Sequence, residues 1–297
     1  MVKKKSFGIV IIHLFFILAC ITFIVPLLYV ISLSLSSEAS IKEFGFTLFP
    51  KVIDFEAYKT ILENPTKLIN AYKITIFNSI VGAALATLVM SMMGYAISRR
   101  SFEQRKLFTF FAYFTMLFSG GLIPTYIVNT RYLGLTDNTL VYILPYLASA
   151  YSILILRTFF QAIPESLIES AKLDGAGEMR TLLQIVMPLS KPALATIMLF
   201  TLLGRWNDWQ TSLLYIQDET KFTLQYLLQK ILREDEYLKQ MAEMMPHLTM
   251  NVGETQETST ESMRFAMAML AAGPMLVVFP FFQKYFVKGL TIGGVKG

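Results

Sequence analysis

Residues 169–188, "ESAKLDGAGEMRTLLQIVMP", form a polar, cornered segment between two apolar runs. The residues just before it, "AIPESLIESAKL", have the marks of a helix start. Pro164 sits inside the first turn, where its missing N–H does no harm. Glu165 follows, where the helix dipole favours a negative charge. Leu167, Ile168 and Ala171 fall on one face, and Glu169 and Lys172 are placed as an i,i+3 pair on the other. Asp174-Gly175 supplies a turn in which glycine takes positive φ. A second helix starts near Glu178 and carries Met179, Leu182, Leu183 and Val186. Pro188 marks its expected end, and Pro192 opens the next apolar run. Two readings follow from these residues alone. One is a well-made connector, the other a compact helix pair that docks into a groove on a partner.

The chain around this segment belongs in lipid. Of 297 residues, 54% are hydrophobic and only 16% charged, against roughly 25% in a soluble domain. Six segments approach the roughly 20 apolar residues that cross a bilayer. They are Ile9–Ile31, Thr75–Ile97, Leu107–Val128, Thr139–Leu156, Pro192–Leu214 and Phe265–Phe282. Pro and Gly interrupt the later ones, which membrane helices tolerate when neighbours satisfy the freed backbone. The expected fold is all-α, with six transmembrane helices.

Lys and Arg set the orientation. With the N-terminus inside, the inside segments hold Lys3, Lys4 and Lys5, then Arg99, Arg100, Arg105 and Lys106. The next holds Arg157, Lys172, Arg180 and Lys191, and the tail Lys284, Lys288 and Lys296. The outside loops, about 32–73 and 216–262, carry at least as many acids as bases. Both termini are therefore expected in the cytoplasm, and segment 159–191 with them. The basic start and apolar run also have the look of a signal peptide, but the run continues past Cys20 through "ITFIVPLLYVI". That exceeds the 7–15 residues of a signal core, so an uncleaved anchor is expected. Residues 1–70 read as this anchor with an extracellular loop, and 71–297 as the membrane core. Within the loops, "FTLFPKVIDFEAYKTIL" reads as holding a short surface helix. "REDEYLKQMAEMMP" reads as a charged helix, and "NVGETQETSTES" as a polar stretch after it.

Several function classes lack their residues. The net charge of +5 is spread over separate loops, which argues against nucleic acid. Cys20 is the single cysteine, and His13 and His247 lie far apart, so no metal set is expected. No Walker A sequence, HExxH motif or nucleophile–His–acid set is present, so no catalytic residue is assigned. No span is expected to hold a charge near its centre, as ion-coupled transporters usually do.

With its corner and its spacing, "ESAKLDGAGEMRTLLQIVMP" resembles the EAA loop of ABC importer permeases. Glu169, Ala171, Asp174, Gly175, Ala176, Ile185 and Pro188 match that pattern, and Ser170 stands where the family often has Ala. The stretches "GGLIPTYIVNTRYLGLTDNTLVYILPYLASAYSILILRTFFQAIPESL" and "LSKPALATIMLFTLLGRWNDW" are similar to the carbohydrate-uptake subgroup. The likeness is to the second permease of maltose-type importers and the oligosaccharide and polysaccharide branch, over about residues 70–297. It implies the type I ABC importer permease fold in a bacterial cell membrane. It implies a second homologous permease, two ATPase subunits that hold ATP and Mg, an extracellular sugar-binding protein and a carbohydrate substrate. No cofactor is implied for this chain. The coupling role falls on Glu169, Ser170, Ala171, Asp174 and Gly175, with Arg180 flanking. Permeases for other solutes, a stand-alone secondary transporter, and a membrane enzyme or scaffold are the rival classes.

Sugar sites combine aromatic faces with polar side chains. Trp206 and Trp209 are the only tryptophans, with Asn207 and Asp208 between them. At i,i+3 on one helix they share a face, as an interface belt or as a cavity wall. Arg205 and Asp208 are spaced to pair within that helix. Tyr126 and Asn129, near Gly120, Gly121 and Pro124, form a second candidate, where the glycines permit close helix packing.

Overall fold

The computed structural model describes residues 7–63, 65–244 and 261–293. Lys3, Lys4, Lys5, His247, Lys296 and most of "NVGETQETSTES" lie outside these residues, as do the side chains of Lys284 and Lys288. Among the described residues the regular structure is helical, relieved by one antiparallel bridge between Ser36 and Ile53. The chain is an all-α membrane protein.

Three helices are long and apolar enough to cross a bilayer, and three further pairs qualify if each bent pair is one span, giving up to six. The uninterrupted ones are α1 (Phe7–Ser34), the run from α4 (Pro65–Phe77) through a π turn (Asn78–Gly82) into α5 (Ala83–Ser98), and α15 (Glu261–Gly293). The predicted third, fourth and fifth spans are broken. α6 (Arg105–Leu117) turns by 115° into α7 (Leu122–Ile127) and its π turn (Val128–Tyr132). The break has a local cause, since Gly121 adopts φ +86, a region closed to most side chains. No atom lies within 4 Å of where a Cβ on Gly121 would stand. This glycine turns the chain into the start of α7; it does not serve the close packing expected of it. In the fourth span, two 3₁₀ turns (Thr139–Tyr142 and Leu144–Tyr146) meet α8 (Ala150–Gln161) at 47°.

The fifth span differs most from expectation. The helix that starts at Glu178 runs past Pro188 to Leu189, then bends by 88° into α12 (Lys191–Trp206). A π turn (Leu182–Val186) precedes Pro188, which has no N–H to offer the helix. α12 ends at Trp206, and α13 (Gln210–Tyr215) is a separate helix.

The chain forms two compact units, residues 1–68 with 228–274, and residues 69–227 with 275–297. In the first, α1 emerges apolar and exposed, and Tyr58 from α3 (Glu56–Glu63) donates to Ser34 Oγ at 3.0 Å. α3 starts within "FTLFPKVIDFEAYKTIL", as anticipated, and ends one residue past it. Ser37 caps α2 (Glu38–Phe44), and Glu38 accepts the Ser262 N–H in the first turn of α15. The charged "REDEYLKQMAEM" lies in α14 (Leu224–Met244).

The second unit is built on α5, which packs against α8 and α12 around Met90, Ile153, Leu156, Phe160 and Ile197. Two glycines let α5 approach its neighbours. A Cβ on Gly94 would stand 3.1 Å from Leu156 Cβ and 3.2 Å from the Ile153 carbonyl oxygen. A Cβ on Gly82 would stand 2.9 Å from Arg205 Nη1. Replacing Gly94 with Val pushes α8 off α5, at a cost of about 1–3 kcal/mol. A lowered thermal midpoint of the purified protein checks this; an unchanged midpoint contradicts the close packing.

Candidate functional site

The cornered segment is the first candidate. α9 (Glu165–Leu173) starts one residue after Pro164, whose carbonyl already accepts the Leu167 N–H at 3.2 Å. It ends in a Schellman arrangement. The Ala176 N–H donates to the Ala171 carbonyl at 2.9 Å and the Gly175 N–H to the Lys172 carbonyl at 3.0 Å. Gly175 takes φ +77, the positive value expected of it. α10 (Glu178–Thr181) follows at once, its Thr181 N–H donating to the Gly177 carbonyl at 2.9 Å.

The two faces of this corner have separate tasks. Ile168, Leu182 and Val186 are buried in the same cluster as α5, α8 and α12, and Ala171 is also buried. Glu169, Ser170, Asp174, Arg180 and Pro188 are exposed, while Ala176 and Ile185 are half-buried. Leu167, Met179 and Leu183, predicted with the buried faces, point outward, because the π turn and short helices rotate only part of each apolar stripe inward. Leu173, next to the turn, is 89% exposed.

Charges fasten the corner to the end of α5. Glu178 accepts from Tyr95 Oη at 2.5 Å and pairs with Lys172 Nζ at 2.7 Å. Lys172 therefore serves Glu178, not the expected Glu169. At the start of α9, Glu165 lies 3.7 Å from both Arg99 Nη2 and Arg100 Nε. Sequence reading missed these fasteners, because Tyr95 and Glu178 are 83 positions apart and only the packing of α9 and α10 on α5 brings them together.

The second candidate lies at the far end of α12. A cavity of about 530 Å³ is lined by Tyr146, Ser149, Thr201, Asn207, Asp208 and Trp209, among others. Trp206 and Trp209 do not share a helical face, because α12 stops between them; Trp206 is buried and Trp209 half-buried at the start of α13. Asn207 Nδ2 donates to the Leu203 carbonyl at 3.0 Å. Asp208 Oδ1 accepts the Thr211 N–H at 3.0 Å, and the Asp208 carbonyl accepts from Thr223 Oγ1 at 2.8 Å. Tyr126 stacks on Tyr215 with centroids 5.6 Å apart, and buried Asn129 donates to Tyr215 Oη at 3.0 Å. The Tyr126–Asn129 pair thus supports a buried cluster with Tyr142, Ile143 and Phe222 and does not line the cavity.

Arg205, expected to pair with Asp208 along the helix, reaches elsewhere. Its guanidinium donates to Asn78 Oδ1 at 3.2 Å, to the Tyr146 carbonyl at 3.0 Å and to the Tyr142 carbonyl. It is a buried charge one residue from the end of α12, so the centre of the span stays free of charge as expected. The signal was present in the sequence, a lone Arg within an apolar run.

Outside the spans, Asp137 organises the loops beside this cluster. Its Oδ1 accepts the N–H groups of Asp218 and Gln217 at 3.1 and 3.2 Å, and its Oδ2 meets Lys221 Nζ at 3.0 Å. The Asp218 N–H, the Lys221 ammonium and the Gln217 N–H hold the Asp137 carboxyl below the usual carboxylate range, and the same ion pair pushes Lys221 up.

Comparison with known proteins agrees with this architecture. Residues 6–292 match the family described as binding-protein-dependent transport system inner membrane component. Protein LplC of Bacillus subtilis is 38% identical over 277 residues, covering 92% of this chain and 90% of that protein. The polygalacturonan/rhamnogalacturonan transport system permease protein YtcP of Bacillus subtilis is 35% identical, covering 99% and 100%. Among solved structures, a bacterial ABC transporter involved in the import of the acidic polysaccharide alginate aligns with TM-score 0.80 and 31% identity. It covers 96% of this chain and 99% of that one.

The fasteners are testable separately from the loops. Tyr95→Phe removes a bond to a half-exposed carboxylate worth about 1 kcal/mol. Amide exchange across residues 176–181 should quicken about fivefold, while the exchange of α12 stays unchanged. For Asp137, a lowered folded pKa stabilises above the unfolded pKa and is lost as pH falls through the folded one. The gap in thermal midpoint between wild type and Asp137→Ala should persist from about pH 8 to 5 and close below about pH 4. A gap that widens in acid contradicts the assignment.

Proposed function

The chain belongs to the family of binding-protein-dependent transport system inner membrane components, and we propose that it forms half of the pore of an ATP-driven importer for an oligosaccharide or polysaccharide fragment. Its partners are a second homologous permease, two ATPase subunits that carry ATP and Mg, and an extracellular sugar-binding protein. Both termini lie in the cytoplasm of a bacterial cell, the orientation favoured by the distribution of Lys and Arg.

The observation that carries this reading is the shape of the corner. Its inner side chains, Ile168, Leu182 and Val186, root it in the core, while Glu169, Leu173 and Asp174 face away from the chain. An apolar side chain as exposed as Leu173, at a tight turn framed by carboxylates, fits insertion into a groove on an ATPase. Gly175 supplies the backbone angle that makes the turn. When the ATPases close on ATP they press on this corner. The load passes to α5 through Tyr95 and Arg99 and to α12 across the bend at Ser190. α12 has 16 residues, so it carries the movement roughly 24 Å to the Arg205 contacts and the cavity beside Trp209. There, aromatic faces with hydroxyl, amide and carboxylate groups offer a sugar stacking and hydrogen bonds. Opposed relatives support the substrate class: YtcP and the alginate importer both bear the names of polysaccharides.

Gly175→Leu and Glu169→Lys should each abolish sugar uptake in cells while the protein remains in the membrane at normal abundance. Wild-type uptake in either variant rejects the docking role. Affinity purification separates the rival class, since an importer permease brings down a second permease and an ATPase and a stand-alone transporter brings down neither.

A further inference from the structure

A second cavity, larger than the one beside Trp209, opens where the end of α5, the start of α6 and the end of α8 meet. Its volume is about 930 Å³. Five cations line it, Arg99, Arg100, Arg105, Lys106 and Arg157, against one acid, Glu165. Topology asks only that such charges lie on the inner side; it does not ask that three separate elements aim them at one space.

The protein's own groups hold these cations loosely. Glu165 stands 3.7 Å from Arg99 and from Arg100, a loose pairing with both. Arg105 Nη1 reaches the Arg99 carbonyl at 3.5 Å, and Arg157 Nε the Ile97 carbonyl at 3.4 Å. Both are long for a hydrogen bond. Arg99 is largely buried, and its Nε has no hydrogen-bond partner. A cluster of guanidinium groups with spare donors is matched by a phosphate, which accepts from Arg in a bidentate manner. The far wall is apolar and aromatic, with Phe110 and Tyr113 of α6 exposed along it. A ligand that fits both sides has an anionic head and an apolar body.

We infer that this cavity binds the phosphate headgroup of an anionic phospholipid at the inner membrane surface, with its acyl chains along α6. The phosphate lies among Arg99, Arg100, Arg105 and Lys106 and competes with Glu165 for the first two. Because Glu165 opens α9, bound lipid adjusts how firmly the coupling corner is held.

The test uses the assembled transporter, purified in detergent and stripped of lipid. Phosphatidylglycerol, phosphatidylcholine and glycerol 3-phosphate are titrated separately and followed by native mass spectrometry. Phosphatidylglycerol should be retained over phosphatidylcholine. The R105Q/K106Q double variant should retain it about thirtyfold less well. Lys191→Gln, an inside cation outside the cavity, should leave retention unchanged. Glycerol 3-phosphate binding as well as the lipid would make the site one for soluble phosphate and overturn the lipid assignment. Equal retention of both lipids, or equal loss in Lys191→Gln, would overturn the site itself. The R105Q/K106Q variant touches neither Glu169 nor Gly175, and lipid retention is read without transport, so this result stands apart from the docking test.

Discussion

Hydrocarbon offers no hydrogen bonds, so every carbonyl freed where a membrane helix breaks must find a partner within the protein. Arg205 meets this constraint for the second unit. The carbonyls of Tyr142 and Tyr146 lie at the ends of two 3₁₀ turns, where helical acceptors lose their partners. The Arg205 guanidinium takes both and reaches Asn78 at the π turn before α5. One side chain thus binds α12 to the broken fourth span and to the long second one. Gly82 makes room for it, since any Cβ there would strike the guanidinium. The break in the fourth span is tolerable because this donor stands beside it.

The same unit separates what holds from what engages. α5, α8 and α12 share a tight apolar interior, and the corner between α9 and α10 is planted in it through a few aliphatic side chains. Around that root, Arg99 at the end of α5 meets Glu165 in the first turn of α9, and the Tyr95 hydroxyl of α5 meets Glu178 in the first turn of α10. Glu169, Leu173 and Asp174, on the outward side of the corner, take no part in these ties. The corner thus combines a rigid root with an outward face. α12 runs from beside the corner to the cavity lined by Asn207, Asp208 and Trp209.

Much of this was legible in the chain. Mean hydropathy of +0.53 and six apolar runs required a helical membrane protein, because helices and closed barrels are the forms that satisfy a backbone in lipid. The corner was legible because capping and turn chemistry act over a few neighbouring residues. Glu165 at a helix start and Gly175 at positive φ are local necessities. The resemblance of residues 169–188 to a coupling loop depended on the identities of Glu169, Ala171, Asp174, Gly175, Ala176, Ile185 and Pro188 at their spacing.

Other features were settled by contacts between residues far apart in sequence. Lys172 had Glu169 and Glu178 within reach along the chain, and the packing of α9 and α10 chose Glu178. Arg205 had Asp208 three residues away, yet the carbonyls of Tyr142 and Tyr146 needed its donors more. Trp206 and Trp209 were spaced for one face until α12 ended between them. Periodicity and spacing fix which local structures a sequence can form. The balance of burial against hydrogen bonding, which is struck only in the folded chain, decides where helices break and which partner each charge takes.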